Sequence, residues 1–157
     1  MKQNSNQTIE RWGIRYTGIV QGVGFRPLVS MWAHSLGLTG FVYNDSQGVY
    51  VEIQGCTSDL QLFLDAIQDD QPRLCRITSQ RVEHLTIQNN EVEFSVKPSP
   101  LGEEVSTFIS ADTAPCDDCL KELERDKRRK EYPFINCTNC GPRYTIIKYL
   151  PYDRERT

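Results

Sequence analysis

The tightest limit on what this chain can fold into lies where its apolar pattern changes period. From Ile9 the residues alternate, with Trp12, Ile14 and Tyr16 on one face, followed by Gly18, Ile19 and Val20. A period of two predicts a strand. The stretch Gln21-Gly22-Val23-Gly24-Phe25-Arg26-Pro27 then intervenes, and residues 28–36 read as an apolar helix. Pro27 suits the first turn of that helix, and Gly37 suits its C-terminal cap. The chain must pass from strand to helix within a few residues, and the glycines supply the conformational freedom for it.

The rest of the first hundred residues continues the alternation of elements. Residues 38–43 predict a second strand, Asn44-Asp45-Ser46-Gln47-Gly48 a polar turn, and residues 49–54 a third strand in a hairpin with the second. Ser58, with Gln61 three residues on, forms a capping-box pattern. After it Leu60, Phe63, Leu64 and Ile67 recur at helical spacing, and Asp69-Asp70-Gln71-Pro72 ends the helix. Strands are expected over 77–87 and 92–97, separated by Asn89-Asn90. The order β-α-β-β-α-β plus one strand predicts an α+β, ferredoxin-like sandwich, with both helices on one face of an antiparallel sheet. Residues 1–8 read as a flexible leader, 9–97 as this domain, 98–113 as a linker and 114–157 as a separate cysteine module. No internal repeat appears beyond the paired cysteines.

Composition narrows the setting. Of 157 residues, 38% are hydrophobic and 25% charged, as in soluble globular chains. No apolar run approaches the roughly 18 to 20 residues that cross a bilayer. The polar start MKQNSNQTIE lacks the apolar core of a signal peptide, so the expected location is cytoplasmic, away from membranes. Residues 10–97 carry seven basic and ten acidic side chains. An anion bound there needs a local cradle, because the overall field opposes it.

The loop between the first strand and helix has the parts of such a cradle. Gly22 and Gly24 let successive backbone N–H groups point at one spot. The helix start adds its positive dipole end. Arg26, in the first turn, can clasp two phosphate oxygens with its planar fork. Other glycine-rich loops fit badly. A P-loop needs Lys and then Ser or Thr after its last glycine, and a dinucleotide fingerprint needs Gly or Ala where Pro27 stands. The plainer alternative is that the glycines serve only a tight turn; Arg26 at the helix start weighs against it.

The run GIVQGVGFRP resembles the acylphosphatase signature, G-x-V-Q-G-V-G-F-R, with all its fixed positions present. The family also has an asparagine eighteen residues after the arginine, and Asn44 stands there, in FVYND. Gly48 and the pair Gln54-Gly55 suit the family too. The resemblance covers residues 9–97 and implies an enzyme that hydrolyses acyl phosphates without a cofactor at that site. It implies that Arg26 and the backbone amides of Gln21, Gly22, Val23, Gly24 and Phe25 bind the phosphate. It also implies that the Asn44 side-chain amide positions the attacking water. No carboxylate or histidine in the motifs stands out as a general base. His34, in the first helix, and His84, in the fourth strand, read as structural or surface residues.

The cysteine module is the second clear signal. Cys116, Cys119, Cys137 and Cys140 give C-x2-C-x17-C-x2-C. That spacing suits two knuckles that close a tetrahedral all-thiolate zinc site, structural because no coordination position stays open. Iron or a redox dithiol are the alternatives. Cys56 and Cys75 stand alone and read as ordinary structural thiols. The basic run at Lys127 to Lys130 raises nucleic acid as a partner. However, residues 116–140 hold six basic and six acidic side chains, and four thiolates on one zinc ion leave about −2. A solvated helix face is the better reading, with no nucleic-acid partner.

YPFINCTNCGPRYTIIKYLPYDR, after CDDCLKEL, resembles the zinc-finger region of the HypF-type carbamoyltransferases of nickel–iron hydrogenase maturation. In that family an acylphosphatase domain precedes two four-cysteine fingers, a nucleotide-binding domain and a carbamoyl-transferring domain. The resemblance implies carbamoyl phosphate as the substrate, and a maturation partner protein that accepts the carbamoyl group on a C-terminal cysteine. The sequence ends at Thr157, soon after the first finger, so the whole transfer reaction is not expected of this chain alone. The expected function is acyl phosphate hydrolysis by a monomer. The alternative is a non-catalytic module that binds an anion and docks through its finger.

Overall fold

The computed structural model describes residues 8–100 and 113–125, and singly 130, 134 and 137. Residues 1–7 of the proposed leader, most of the proposed linker and Cys140 lie outside the described residues. The elements are β1 (Ile9–Ile19), α1 (Phe25–Ser35), β2 (Thr39–Asp45), β3 (Gly48–Cys56), α2 (Thr57–Asp69), β4 (Arg76–Leu85), β5 (Phe94–Val96) and α3 (Asp117–Arg125).

The sheet has five strands in the order β4-β1-β3-β2-β5. Its first four strands pair antiparallel, as a ferredoxin-like sandwich requires. The fifth departs from the all-antiparallel expectation, because β5 runs parallel to β2. The chain returns along the β2 edge, where Gly40 N–H donates to Glu93 O at 3.2 Å and Lys97 N–H to Val42 O at 2.8 Å.

Register aligns the apolar positions. Trp12, Ile14 and Tyr16 lie opposite Ile53, Val51 and Val49. All six are buried, together with Val29 and Ala33 of α1 and Leu60, Phe63 and Ile67 of α2. Both helices therefore cover one face, as expected from their spacing. The opposite face holds Arg11, which is only 2% exposed and hydrogen-bonds Glu91 and Glu52. The Glu91 hydrogen bond leads in raising the Arg11 pKa, which burial opposes.

The capping box fails. The N-cap of α2 is Cys56, in extended conformation, and it makes no side-chain cap bond. The Thr57 N–H donates to Thr8 O at 3.0 Å, and the Thr57 hydroxyl also bonds there. The helix thus begins one residue before Ser58, anchored on the start of β1. Gln61 bonds Asp65 one turn on rather than reaching back. The hairpin turn is also shorter than expected, since Asn44 and Asp45 complete β2 and Gly48 opens β3.

Candidate functional site

The site is built by topology before any side chain is considered. β1 and β2 are both antiparallel to β3, so they run in the same direction and end at the same edge of the sheet. The loop after β1 and the Asn44-Asp45 end of β2 therefore meet.

The β1–β3 pairing ends at Tyr16, and a bulge between Thr17 and Gly18 shifts the register while β1 stays paired with β4 as far as Ile19. Gly18 has φ 115°, and a Cβ there would stand 2.1 Å from Arg76 O, so only glycine lets the strands stay in contact. Beyond it Val20, Gln21, Val23 and Phe25 are buried. Phe25 packs edge-on to Tyr16, with ring centroids 5.1 Å apart. Gly22 and Gly24 have φ of 69° and 81°, the left-handed region that the turn demands. Gly24 is the N-cap of α1 and has no side chain of its own to cap the helix. Alternate apolar side chains thus pin the loop inward, and it ends at the start of a helix. Arg26 is the second residue of α1 and is half-buried.

Gln21 does more than lend a backbone amide. Its side chain is buried, and Nε2 donates to Asp45 O and to Gly48 O, both at 2.7 Å. The one amide group thus ties the loop to the β2–β3 turn. Asp45 braces the same turn, since its Oδ1 accepts from Gln47 N–H at 2.9 Å and Gly48 N–H at 3.1 Å. Its other oxygen pairs with Arg15. Asn44 stands opposite Val49, on the helix-covered face, and is 1% exposed. Sequence reasoning missed the roles of the Gln21 side chain and of Asp45. The Asp45 role had a local signal, because aspartate at the head of a polar turn accepts N–H groups two and three residues on. The Gln21 bonds span 24 and 27 residues and had none.

No described group near the loop reads as a general base. The Asp45 carboxylate is engaged by Arg15 and the turn amides. Burial raises the Tyr16 phenol well above its ordinary range, so it stays protonated. The histidines stand apart, as expected. His34 is exposed on α1 and bonds Ser30 O at 2.6 Å, while His84 packs edge-on to Trp12 on β4.

The second candidate centre lies in the cysteine module. The Sγ atoms of Cys116, Cys119 and Cys137 all lie within 4.8 Å of one another, and the first two are 3.6 Å apart. Two thiolates on one tetrahedral ion with bonds of about 2.3 Å stand about 3.8 Å apart, so the group fits a metal. Cys116 caps α3 by accepting the Leu120 N–H at 3.0 Å, and Cys119 sits one turn on. None of the five described cysteines is in a disulfide. Cys75 is the buried structural thiol expected, with its pKa pushed up to about 11 by desolvation.

Comparison with known proteins matches both halves. The Acylphosphatase family model matches residues 12–96, and the HypF finger model matches residues 116–147. A probable carbamoyltransferase HypF of Methanocaldococcus jannaschii is 44% identical over 144 residues, covering 90% of this chain and 19% of the relative. An acylphosphatase of Geobacillus kaustophilus is 39% identical over 80 residues, covering 50% of this chain and 84% of the relative. Among solved structures, full-length HypF in a phosphate- and nucleotide-bound form aligns with a TM-score of 0.81 at 41% identity. That alignment covers 99% of this chain and 20% of the other. The chain thus spans about a fifth of the length of the HypF relatives it matches.

Proposed function

Because the chain belongs to the acylphosphatase family and carries a HypF finger behind that domain, we propose that it hydrolyses acyl phosphates, carbamoyl phosphate foremost. The observation that carries this reading is the Gln21 side chain bonded to Asp45 O and Gly48 O. It fixes the loop that would hold the phosphate against the strand end that carries Asn44.

The phosphate rests on the amides of Gln21, Gly22, Val23, Gly24 and Phe25 at the start of α1, and Arg26 clasps two of its oxygens. Asn44, buried and held in the strand, orients the attacking water through its side-chain amide. Acyl phosphates are activated anhydrides, so orientation and charge stabilisation supply most of what the reaction needs. A phosphate oxygen of the substrate takes the water's proton in place of a protein base. The products are phosphate and a carboxylate, or carbamate from carbamoyl phosphate.

Zinc is the ion best suited to Cys116, Cys119, Cys137 and Cys140. Bound by four thiolates it supplies cross-linking and no open coordination position, so it takes no part in hydrolysis. In the longer relatives, a maturation partner that accepts the carbamoyl group on a cysteine is part of the same proposal. So are a monomeric state and a cytoplasmic location. Among the described residues no helix is long and apolar enough to cross a membrane.

The test is phosphate release from carbamoyl phosphate and from acetyl phosphate, by the wild-type chain and by Arg26→Ala. Loss of one preorganised donor is expected to lower kcat/KM by a factor on the order of 10² to 10³, roughly 3 to 4 kcal/mol. Full activity in the variant would remove Arg26 from the site. A folded wild type that binds inorganic phosphate yet releases none from either substrate would favour the second reading, an anion-binding module whose chemistry needs the rest of a longer protein.

A further inference from the structure

The connection between α2 and β4 carries a contact that neither the hydrolase nor the finger explains alone. Leu74 packs against the main core and also against the cluster of Cys119 and Cys137. The turn that presents it is firmly held. Cys75 N–H donates to Pro72 O at 2.8 Å, and the Arg76 guanidinium bonds Arg73 O at 3.1 Å and Cys75 O at 2.6 Å. Cys75 itself is wholly buried in the main core. Neighbouring residues thus face two ways, with Cys75 rooted in the domain and Leu74 reaching to the thiols.

Two residues beyond Leu74 the chain enters the sheet. Arg76 opens β4 and pairs with Ile19, the last residue of β1, while Ile77 pairs with Gly18. The two backbones abut there with no room for a Cβ on Gly18. Val20, the next residue after β1, begins the loop assigned to phosphate. From Leu74 the path to that loop therefore runs through Cys75, Arg76 and Ile19.

We propose that Leu74 seats the metal-loaded finger on the acylphosphatase domain, and that metal binding thereby stiffens the β1–β4 strand ends leading into the phosphate loop. The proposal rests on the reading of the cysteines as a metal site. A four-thiolate ion fixes the positions of Cys119 and Cys137, and Leu74 then has a rigid apolar wall to pack on. Without the ion the thiols lose their common centre, and Leu74 faces solvent on that side. Packing gained on one side of a held turn is passed on as reduced local opening of the strand end it begins.

Hydrogen exchange on the full chain tests this, with metal content measured on every sample. In zinc-loaded protein, Leu74→Ala is expected to speed exchange over residues 74–77 and 18–20 by on the order of tenfold, while the β2–β3 hairpin keeps its protection. Stripping zinc from the wild type should give the same local pattern. The variant should still hold one zinc per chain, since no cysteine is touched. Unchanged exchange at 74–77 and 18–20 in zinc-loaded Leu74→Ala would overturn the proposal, and so would an equal acceleration in Leu62→Ala, a truncation at an exposed site on α2. A wild type that binds no zinc would instead refute the metal site, which the metal content reports separately. Because Leu74 also packs on the main core, the zinc-stripped wild type decides the metal's part: unchanged exchange at 74–77 and 18–20 in stripped protein whose β3 and α2 stay protected would overturn it.

Discussion

The acylphosphatase domain and the finger are ordered by opposite means. In the domain, side chains from four strands and two helices share one apolar core, and Tyr16, Phe25 and Phe63 are among its fully buried members. Among the described residues of the finger, the buried cluster is Cys119 and Cys137, with Cys116 and Leu74 packed against it. One region is held by burial of area, while in the other, three thiols gather around a point that suits a metal ion. A core of the first kind degrades gradually when one contact is lost. A ligand cluster depends on its ion as a unit.

The largest expected effect comes from removing that ion. Structural zinc in small fingers contributes on the order of 10 kcal/mol or more of folding free energy, because no formed site exists without it. Removal by a strong chelator should therefore unfold α3 and its surroundings and leave the five-stranded sheet standing. Hydrogen exchange resolved along the chain would show protection lost over 113–125 and kept over β3, α2 and residues 9–17 of β1. Unfolding of both regions together would break the comparison and make the ion a support of the whole chain.

A smaller effect probes how the domain converts rigidity into a site. Gln21→Leu keeps the apolar bulk but removes both donors, which leaves the Asp45 and Gly48 carbonyls without that partner. Unpaired buried polar groups of this kind cost about 1 to 3 kcal/mol. Stability should fall within that range, and acyl phosphate turnover should fall further, since the loop is no longer registered against Asn44. The check is a chemical denaturation midpoint beside kcat and KM. Turnover that fell only as far as the folded fraction would reduce Gln21 to an ordinary core residue.

The sequence disclosed these two regions unequally, for physical reasons. The strand, loop and helix from Ile9 to Ser35 were legible because burial on one face imposes a period, and the period changes at the glycines. The grouping of Cys116, Cys119 and Cys137 was legible because a tetrahedral ion restricts the spacing of the cysteines that would hold it. The start of α2 was not, because the Thr57 bonds to Thr8 lie 49 residues apart in the chain and outweigh the local pattern at Ser58. The direction of β5 was equally hidden. Three residues on a sheet edge carry no pattern that distinguishes parallel from antiparallel pairing, and the choice is made by where the chain returns. Leu74 looks like any apolar residue after a helix until the finger is seen beside it.

The smallest effect separates the two regions under acid. In the domain, the Trp12 indole donates to Glu10 Oε2 at 2.7 Å, and the Thr57 hydroxyl bonds its other oxygen at 3.0 Å. The Trp12 hydrogen bond leads in holding the Glu10 carboxyl below its ordinary range, with Thr57 next. A carboxyl whose folded pKa is depressed adds stability above its unfolded pKa, and that stability is lost as pH falls through the folded value. Glu10→Gln should therefore lower the melting temperature of the domain slightly at neutral pH, and the difference from wild type should vanish at the acid end. A finger loaded with metal is expected to be acid-sensitive for another reason, since protons compete with an ion for its thiolates. Melting the domain in zinc-free protein at each pH isolates the carboxyl contribution. A wild type and variant that stay equally separated at every pH would mean that Glu10 acts through packing on Trp12 rather than through its charge. Acid lability would then belong to the ligand-held region alone.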